Sequence, residues 1–196
     1  VLLDQAKHKG IKGADFDQLE QRLNDADKAL SIKPNSANDY FNMGGVFQEQ
    51  NRLGEAIEAY NKALSINPDF FEAYFNLGIT LKKQDKLEEA IYAYKKVALI
   101  KPDFVDAYLN MGIIFEAQNK YDRALEIYNK AISIKPDFFD AYNNIIVVLL
   151  EQSKLNELFK VCSKVLSINP DFASAYLNMG IAFQEQNKPK KAVEAY

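Results

Sequence analysis

Residues 68–101 read PDFFEAYFNLGITLKKQDKLEEAIYAYKKVALIK, and this stretch decides the fold because its pattern returns every 34 residues. The prolines mark the interval: Pro34, Pro68, Pro102, Pro136 and Pro170. A fixed period of this length indicates a chain that stacks one supersecondary unit repeatedly, rather than one that folds around a single core. Such arrays commonly present extended binding surfaces, so function is sought on the faces of the array.

Each period predicts two helices. Apolar residues at Ala73, Leu77 and Leu81 follow helical spacing, and the polar turn at 84–86 ends this first helix. The second helix is predicted to begin near Leu87 and to stop before the next proline, because the residue before proline is pushed out of the helical region.

The start of the first helix suggests a cap. Asp69 is expected to be the N-cap residue, with Glu72 completing a capping box. The same spacing recurs as Asp103 with Asp106 and as Asp137 with Asp140. The second acidic residue of each pair also stands where the edge of a groove is expected.

Small and aromatic residues recur at fixed positions. The glycine positions are Gly44, Gly78, Gly112 and Gly180; the alanine positions are Ala56, Ala90, Ala124 and Ala192; the second tyrosine positions are Tyr60, Tyr94, Tyr128 and Tyr196. These columns resemble the tetratricopeptide repeat, over about residues 15–196. The resemblance implies an all-α, right-handed solenoid of antiparallel helix pairs. We expect glycine to allow close approach of paired helices with alanine facing it, and tyrosine to fill the gaps between repeats.

The repeats follow one another along the chain as one continuous array. We predict a degenerate repeat at 1–36 whose residues 15–33 form a second helix, full repeats at 37–70, 71–104 and 105–138, an atypical repeat at 139–172, and a truncated repeat at 173–196. The cut ends favour a segment of a longer protein.

In the fourth repeat, residues 139–172, Ile146, Leu158 and Cys162 replace glycine, alanine and tyrosine. Compensated repacking is the favoured interpretation, and a local joint is the alternative.

Composition argues against several classes of function. The net charge is −3 without a basic stripe, which disfavours nucleic-acid binding. The apolar run at 145–150 is too short to insert into a membrane, and no secretory leader is recognisable, so a cytoplasmic location is predicted. His8 is the only histidine and Cys162 the only cysteine, so we expect no catalytic residues, no metal site and no cofactor.

An asparagine stands two residues before the glycine position in every repeat: Asn42, Asn76, Asn110, Asn144 and Asn178. Asparagine is a mediocre helix former, so helix propensity does not explain the row. Its carboxamide carries a donor and an acceptor, as a peptide backbone does. The family resemblance implies that first helices line a concave face, and the row is similar to that in the repeat domain of O-linked N-acetylglucosamine transferases. We predict that the row binds an extended peptide; alternatively, each asparagine bonds a neighbour or a nearby carbonyl.

Neighbouring positions complete the predicted groove. The residue before each asparagine is Phe41, Phe75, Leu109, Asn143 or Leu177, and Lys82 stands near the far end of its helix. Family members that hold the carboxylate tails of chaperones use lysines and arginines in several such positions, which argues against that role here.

The predicted function is a scaffold that binds a protein or peptide in its concave groove. The alternative is a substrate-recruiting arm of a larger enzyme, such as a glycosyltransferase or a sulfotransferase, and a purely structural assembly role ranks third. An uncapped repeat end favours self-association, so Ala192, Val193 and Tyr196 predict contacts through the C-terminal end.

Overall fold

The computed structural model describes residues 34–196, which form ten helices without a strand. The chain divides into two compact units, Val1–Asp85 and Lys86–Tyr196, called unit 1 and unit 2 here. The described part of unit 1 contains α1 (Ala37–Glu49), α2 (Leu53–Ile66) and α3 (Phe71–Lys83). The helix predicted at 15–33 lies outside the described residues.

Unit 2 contains seven helices. They are α4 (Leu87–Ile100), α5 (Val105–Ala117), α6 (Tyr121–Ile134), α7 (Phe139–Glu151), α8 (Leu155–Ile168), α9 (Ala173–Glu185) and α10 (Pro189–Ala195). Each of α5, α7 and α9 is the first helix of a repeat, and each packs against the second helix that follows it. The all-α fold of paired helices predicted from the 34-residue period is confirmed.

The turns inside the repeats share one backbone conformation. A residue just past each first helix has a positive φ of 52° to 59°; these residues are Asn51, Asp85, Asn119, Ser153 and Asn187. Asparagine and aspartate tolerate this left-handed conformation better than most residues, which accounts for four of the five positions. The turn then closes onto the helix, as where the amide of Arg52 donates to the carbonyl of Phe47 at 2.8 Å.

The predicted capping boxes at Asp69, Asp103 and Asp137 are wrong. The N-cap positions of α3, α5 and α7 are Phe70, Phe104 and Phe138, and no side chain makes a capping hydrogen bond there. Each aspartate lies one residue too early in the chain for that role. Among the described helices, a capping box occurs in α1, where Ser36 and Asp39 bond each other's backbone amides at 3.1 Å.

Three of the repeated glycines, Gly44, Gly112 and Gly180, lie against tyrosine rings. A Cβ placed on Gly44 would lie 2.6 Å from Cε1 of Tyr60, and one on Gly112 would lie closer still to Tyr128. Tyr60 and Tyr128 are both fully buried. The missing side chain therefore makes room for the ring of the second helix within the same repeat.

First helices of neighbouring repeats also contact one another in unit 2, α5 with α7 and α7 with α9. Their outward sides consequently adjoin, which is the arrangement that a continuous binding surface requires. None of the helices in the described region is long and apolar enough to cross a membrane.

Candidate functional site

The outward side of α5, α7 and α9 forms a surface that we call the first-helix face of unit 2. It consists of Asp106, Asn110, Ile113 and Ala117 on α5, of Asp140, Asn144, Val147 and Glu151 on α7, and of Ser174, Asn178, Ile181 and Glu185 on α9. Successive members are four, three and four residues apart, so each set lies on one side of its helix.

Aliphatic side chains run along the middle of this face. Ile113 is 36% exposed and Val147 is 38% exposed, although both belong to helices packed on other sides. Ile181 is half-buried at the equivalent position, and Leu177 on α9 is 54% exposed. The face therefore offers apolar surface to a partner.

Two asparagines of unit 2 bond the turn below them in their own helix. The Asn110 amide nitrogen donates to the carbonyl of Asp106 at 3.0 Å. The Asn178 amide nitrogen lies 2.7 Å from the carbonyl and 3.3 Å from the hydroxyl of Ser174, and Asn178 is only 8% exposed. These bonds match the alternative in which the asparagine bonds a nearby carbonyl, and they fix how each side chain points.

Asn144 has different surroundings, beside a tyrosine of the preceding repeat. The hydroxyl of Tyr128 donates to Oε2 of Glu116 at 2.7 Å. Burial raises the pKa of Tyr128 strongly and the bond to Glu116 adds to the rise, whereas the nearby Asn144 side chain opposes it. Asn144 thus lies on its own first helix close to the repeat before it.

Unit 1 contains an equivalent cluster. The hydroxyl of Tyr60 donates to Oε1 of Gln48 at 3.2 Å, and the Thr80 hydroxyl lies 2.7 Å from the same oxygen. Burial raises the pKa of Tyr60 to about 12, and the nearby Asn76 side chain partly opposes the rise. Asn42, one repeat earlier, is exposed.

The other predicted groove residues of unit 1 have mixed surroundings. Phe41 is half-buried and packs against the rings of Tyr60 and Phe70, with centroids 5.9 Å and 4.9 Å apart. Phe75 is half-buried. Lys82 is half-buried too, and burial lowers its pKa. Phe41 therefore contributes mainly to packing.

In unit 2, the residue before the asparagine is half-buried in α5 and α7. Leu109 contributes apolar surface there, whereas Asn143 buries its Oδ1 atom without a hydrogen-bond partner among the described residues. A buried carbonyl oxygen without a partner costs stability.

The polar partners of the buried tyrosines were missed in the sequence. Both lie twelve residues before the tyrosine, Gln48 before Tyr60 and Glu116 before Tyr128. A polar residue at a constant distance before a buried tyrosine was the pattern that could have revealed them. In the described part of the chain, no group of three or more His, Cys, Asp or Glu side chains is arranged to hold a metal ion.

Comparison with known proteins agrees with this geometry. Sequence models of the TPR repeat match residues 44–85 and 80–119, and one of the tetratricopeptide repeat matches residues 105–138. A search of curated proteins found no significant match.

Several solved structures have a similar fold. The crystal structure of MamA protein is 24% identical, with a TM-score of 0.71 over 81% of this chain and 87% of that one. YrrB, described as a TPR protein with an unusual peptide-binding site, is 21% identical, with a TM-score of 0.66 over 87% and 88%. PilF from Pseudomonas aeruginosa is 20% identical, with a TM-score of 0.65 over 87% and 75%.

The stacked helix pairs, the glycine–tyrosine contacts and the 34-residue period define a helical-repeat protein. The matched sequence models and the solved structures identify the family: the chain belongs to the tetratricopeptide-repeat proteins.

Proposed function

We propose that this chain is a scaffold module that binds a protein or peptide partner by holding an extended segment along its first helices. The observation that carries the proposal is the exposed aliphatic surface of Ile113 and Val147 beside the asparagine row. Apolar surface left exposed next to fixed polar groups is typical of interaction sites. YrrB, which shares the fold, is described as having a peptide-binding site of its own.

The asparagines supply the polar part of the proposed site. A carboxamide has two donor hydrogens and an acceptor oxygen, which Asn144 can offer to a peptide backbone from its place beside Tyr128. Because internal bonds hold Asn110 and Asn178 in place, little conformational entropy of these side chains is lost when a peptide backbone binds. Asn42 and Asn76 have the same proposed role in unit 1.

Selection from a displayed library of random twelve-residue peptides, followed by titration of an enriched peptide, tests the proposal. Replacing Ile113 and Val147 together by serine is expected to weaken binding by about tenfold or more, because apolar contacts are lost. The matched control is Leu99→Ser on α4, which removes an apolar side chain that is 74% exposed on a second helix. The control should change binding less than twofold. Equal losses in the two variants, or a library without binders, would contradict the proposal.

We further propose that the segment binds without catalysing a reaction and needs no cofactor. A recruiting arm of an enzyme would use the same face, and nothing in residues 34–196 favours it over a scaffold. A cytoplasmic location and the absence of nucleic-acid binding remain parts of the proposal.

Self-association is proposed through α10. Val193 is 75% exposed and Tyr196 is 59% exposed, so the 196-residue chain presents apolar surface there. Light scattering over a range of concentrations should show growth in mass that Val193→Ser reduces. A constant monomer mass at high concentration would count against this contact.

A further inference from the structure

We propose that the partner segment held by unit 2 is basic as well as apolar, with lysine or arginine side chains flanking aliphatic or aromatic ones. This inference rests on the proposed function and adds the chemistry of the partner. It follows from how charge is distributed between the two kinds of helix in unit 2.

The first helices of unit 2 carry acidic residues without any lysine or arginine. Their carboxylates belong to Asp106, Glu116, Asp140, Glu151 and Glu185. The second helices hold the basic residues of the unit's helices: Lys95, Lys96, Arg123, Lys130, Lys160, Lys164, Lys190 and Lys191. The second helices carry acidic residues too, so among the helices of unit 2 it is the cations alone that are confined to one kind of helix.

Three of these carboxylates are not used inside the unit. The carboxylates of Asp106, Asp140 and Glu185 take part in no ion pair and no hydrogen bond among the described residues, and Asp140 and Glu185 are exposed. The capping role that would have accounted for Asp106 and Asp140 does not exist, since no side chain caps α5 or α7. By contrast, Glu116 accepts a hydrogen bond from Tyr128, and Glu151 lies near Tyr121, where it helps to raise the pKa of that hydroxyl after the larger effect of burial.

Their positions frame the aliphatic strip. On α7, Asp140 comes two helical turns before Val147, and Glu151 comes one turn after it. On α5, Asp106 stands in the position equivalent to Asp140. On α9, Glu185 stands in the position equivalent to Glu151. An extended segment whose apolar side chains contact Ile113 and Val147 therefore has carboxylates on both sides. These carboxylates attract a basic segment and so favour its binding, whereas they repel an acidic segment.

The test uses the full 196-residue chain and a displayed library of random twelve-residue peptides. Enriched sequences are expected to combine lysine or arginine with aliphatic or aromatic residues. The variant Asp140→Asn/Glu185→Gln should weaken binding of an enriched peptide about three- to tenfold in 50 mM salt, and less in 500 mM salt, because screening reduces the contribution of exposed charges. The matched control Glu126→Gln/Glu157→Gln removes two exposed carboxylates from second helices and should leave binding within twofold.

The outcomes separate this inference from the function beneath it. Enriched peptides that lack basic residues, yet lose binding in Ile113→Ser/Val147→Ser, would overturn the charge inference and leave the groove intact. Equal losses in the charge variant and its control would also overturn it. Peptides insensitive to both Ile113→Ser/Val147→Ser and the charge variant, or a library without binders, would overturn the groove proposal and this inference with it.

Discussion

The third repeat, residues 105–138, and the fourth, residues 139–172, fill the same helix crossing with opposite pairs of side chains. In the third repeat, Gly112 leaves room for the buried ring of Tyr128. In the fourth repeat, Ile146 occupies the glycine position and Cys162 the tyrosine position, and both are fully buried. The comparison teaches that the crossing requires a total volume, which either helix can supply, and not a particular residue.

The exchange also changes the surroundings of the next asparagine. Tyr128 places its hydroxyl near Asn144, whereas Cys162 offers no such group, and Asn178 bonds Ser174 in its own helix. The asparagine position therefore recurs in two different surroundings. Its recurrence in both is consistent with a role beyond local packing.

The largest expected effect comes from transferring the fourth repeat's pair into the third. Tyr128→Cys should lower the free energy of unfolding by about 3–5 kcal/mol through the cavity that it leaves. Gly112→Ile should lower it by about 1–3 kcal/mol through overpacking against the ring. The double variant should cost less than the sum, with a coupling of about 0.5–3 kcal/mol, because each change relieves the other.

Urea unfolding of the four proteins measures this coupling. The control variant combines Gly112→Ile with Leu99→Ser, two positions that share no cavity. The changes in the free energy of unfolding should therefore add in this variant. Strict additivity in Gly112→Ile/Tyr128→Cys would show that the two positions do not exchange volume.

Two adjacent glycines isolate the ring contact from the exchange of volume. A Cβ on Gly44 would lie 2.6 Å from Tyr60, whereas a Cβ on Gly45 meets nothing within 4 Å. Gly44→Ala should therefore destabilise the protein by about 1–2 kcal/mol, because overpacking outweighs the gain in helix propensity. Gly45→Ala should stabilise it by about 1 kcal/mol. Thermal melts that show the same sign for both would contradict the contact as described.

The sequence predicted the helices well because their signals are periodic. The second helix expected near Leu87 begins there, and the first helix expected from Asp69 begins two residues later, at Phe71. The capping error arose because Asp69 has the right residue type, yet the turn after Pro68 makes Phe70 the N-cap. A residue type does not specify the backbone position at which a helix starts.

The candidate site was less predictable, because its hydrogen bonds depend on neighbouring helices. The spacing located the asparagine positions on first helices, but nothing in it indicated that Asn144 would lie near Tyr128 while Asn110 bonds its own helix. Nor did the columns indicate that glycine would meet the tyrosine ring of its own repeat. Such pairings follow from how helices cross, which a one-dimensional pattern does not contain.

The buried thiol of the fourth repeat should give a pH dependence of the free energy of unfolding that the third repeat, with tyrosine at this position, lacks. Burial raises the pKa of Cys162 from 9.0 to about 12. Between pH 9 and 12 the thiol therefore loses its proton in the unfolded chain but keeps it in the folded chain. The contribution of Cys162 to the free energy of unfolding is complete below pH 9 and falls as the pH rises above that value. The advantage of the wild type over Cys162→Ala should shrink by about 1.4 kcal/mol between pH 8 and pH 10.

Urea unfolding under reducing conditions at pH 8, 9 and 10 measures that advantage. The tyrosines titrate in both proteins, and comparing the two removes their common contribution. An advantage that stays constant over this range would mean that the thiol is not buried in the folded chain.

The smallest expected effect concerns the first tyrosine of the same two repeats. The hydroxyl of Tyr108 donates to the carbonyl of Pro102 at 3.2 Å, whereas the hydroxyl of Tyr142 is buried without a hydrogen-bond partner among the described residues. Tyr108→Phe should therefore cost about 0.5–1.5 kcal/mol, the net worth of one hydrogen bond. Tyr142→Phe should be neutral or slightly stabilising, because it removes a polar group that lost its water on folding and gained nothing in return. The two substitutions delete the same atom from the same repeat position, so each is the control for the other in urea unfolding. An equal cost in both would show that the Tyr142 hydroxyl has a partner after all, and that the two repeats hold this ring alike.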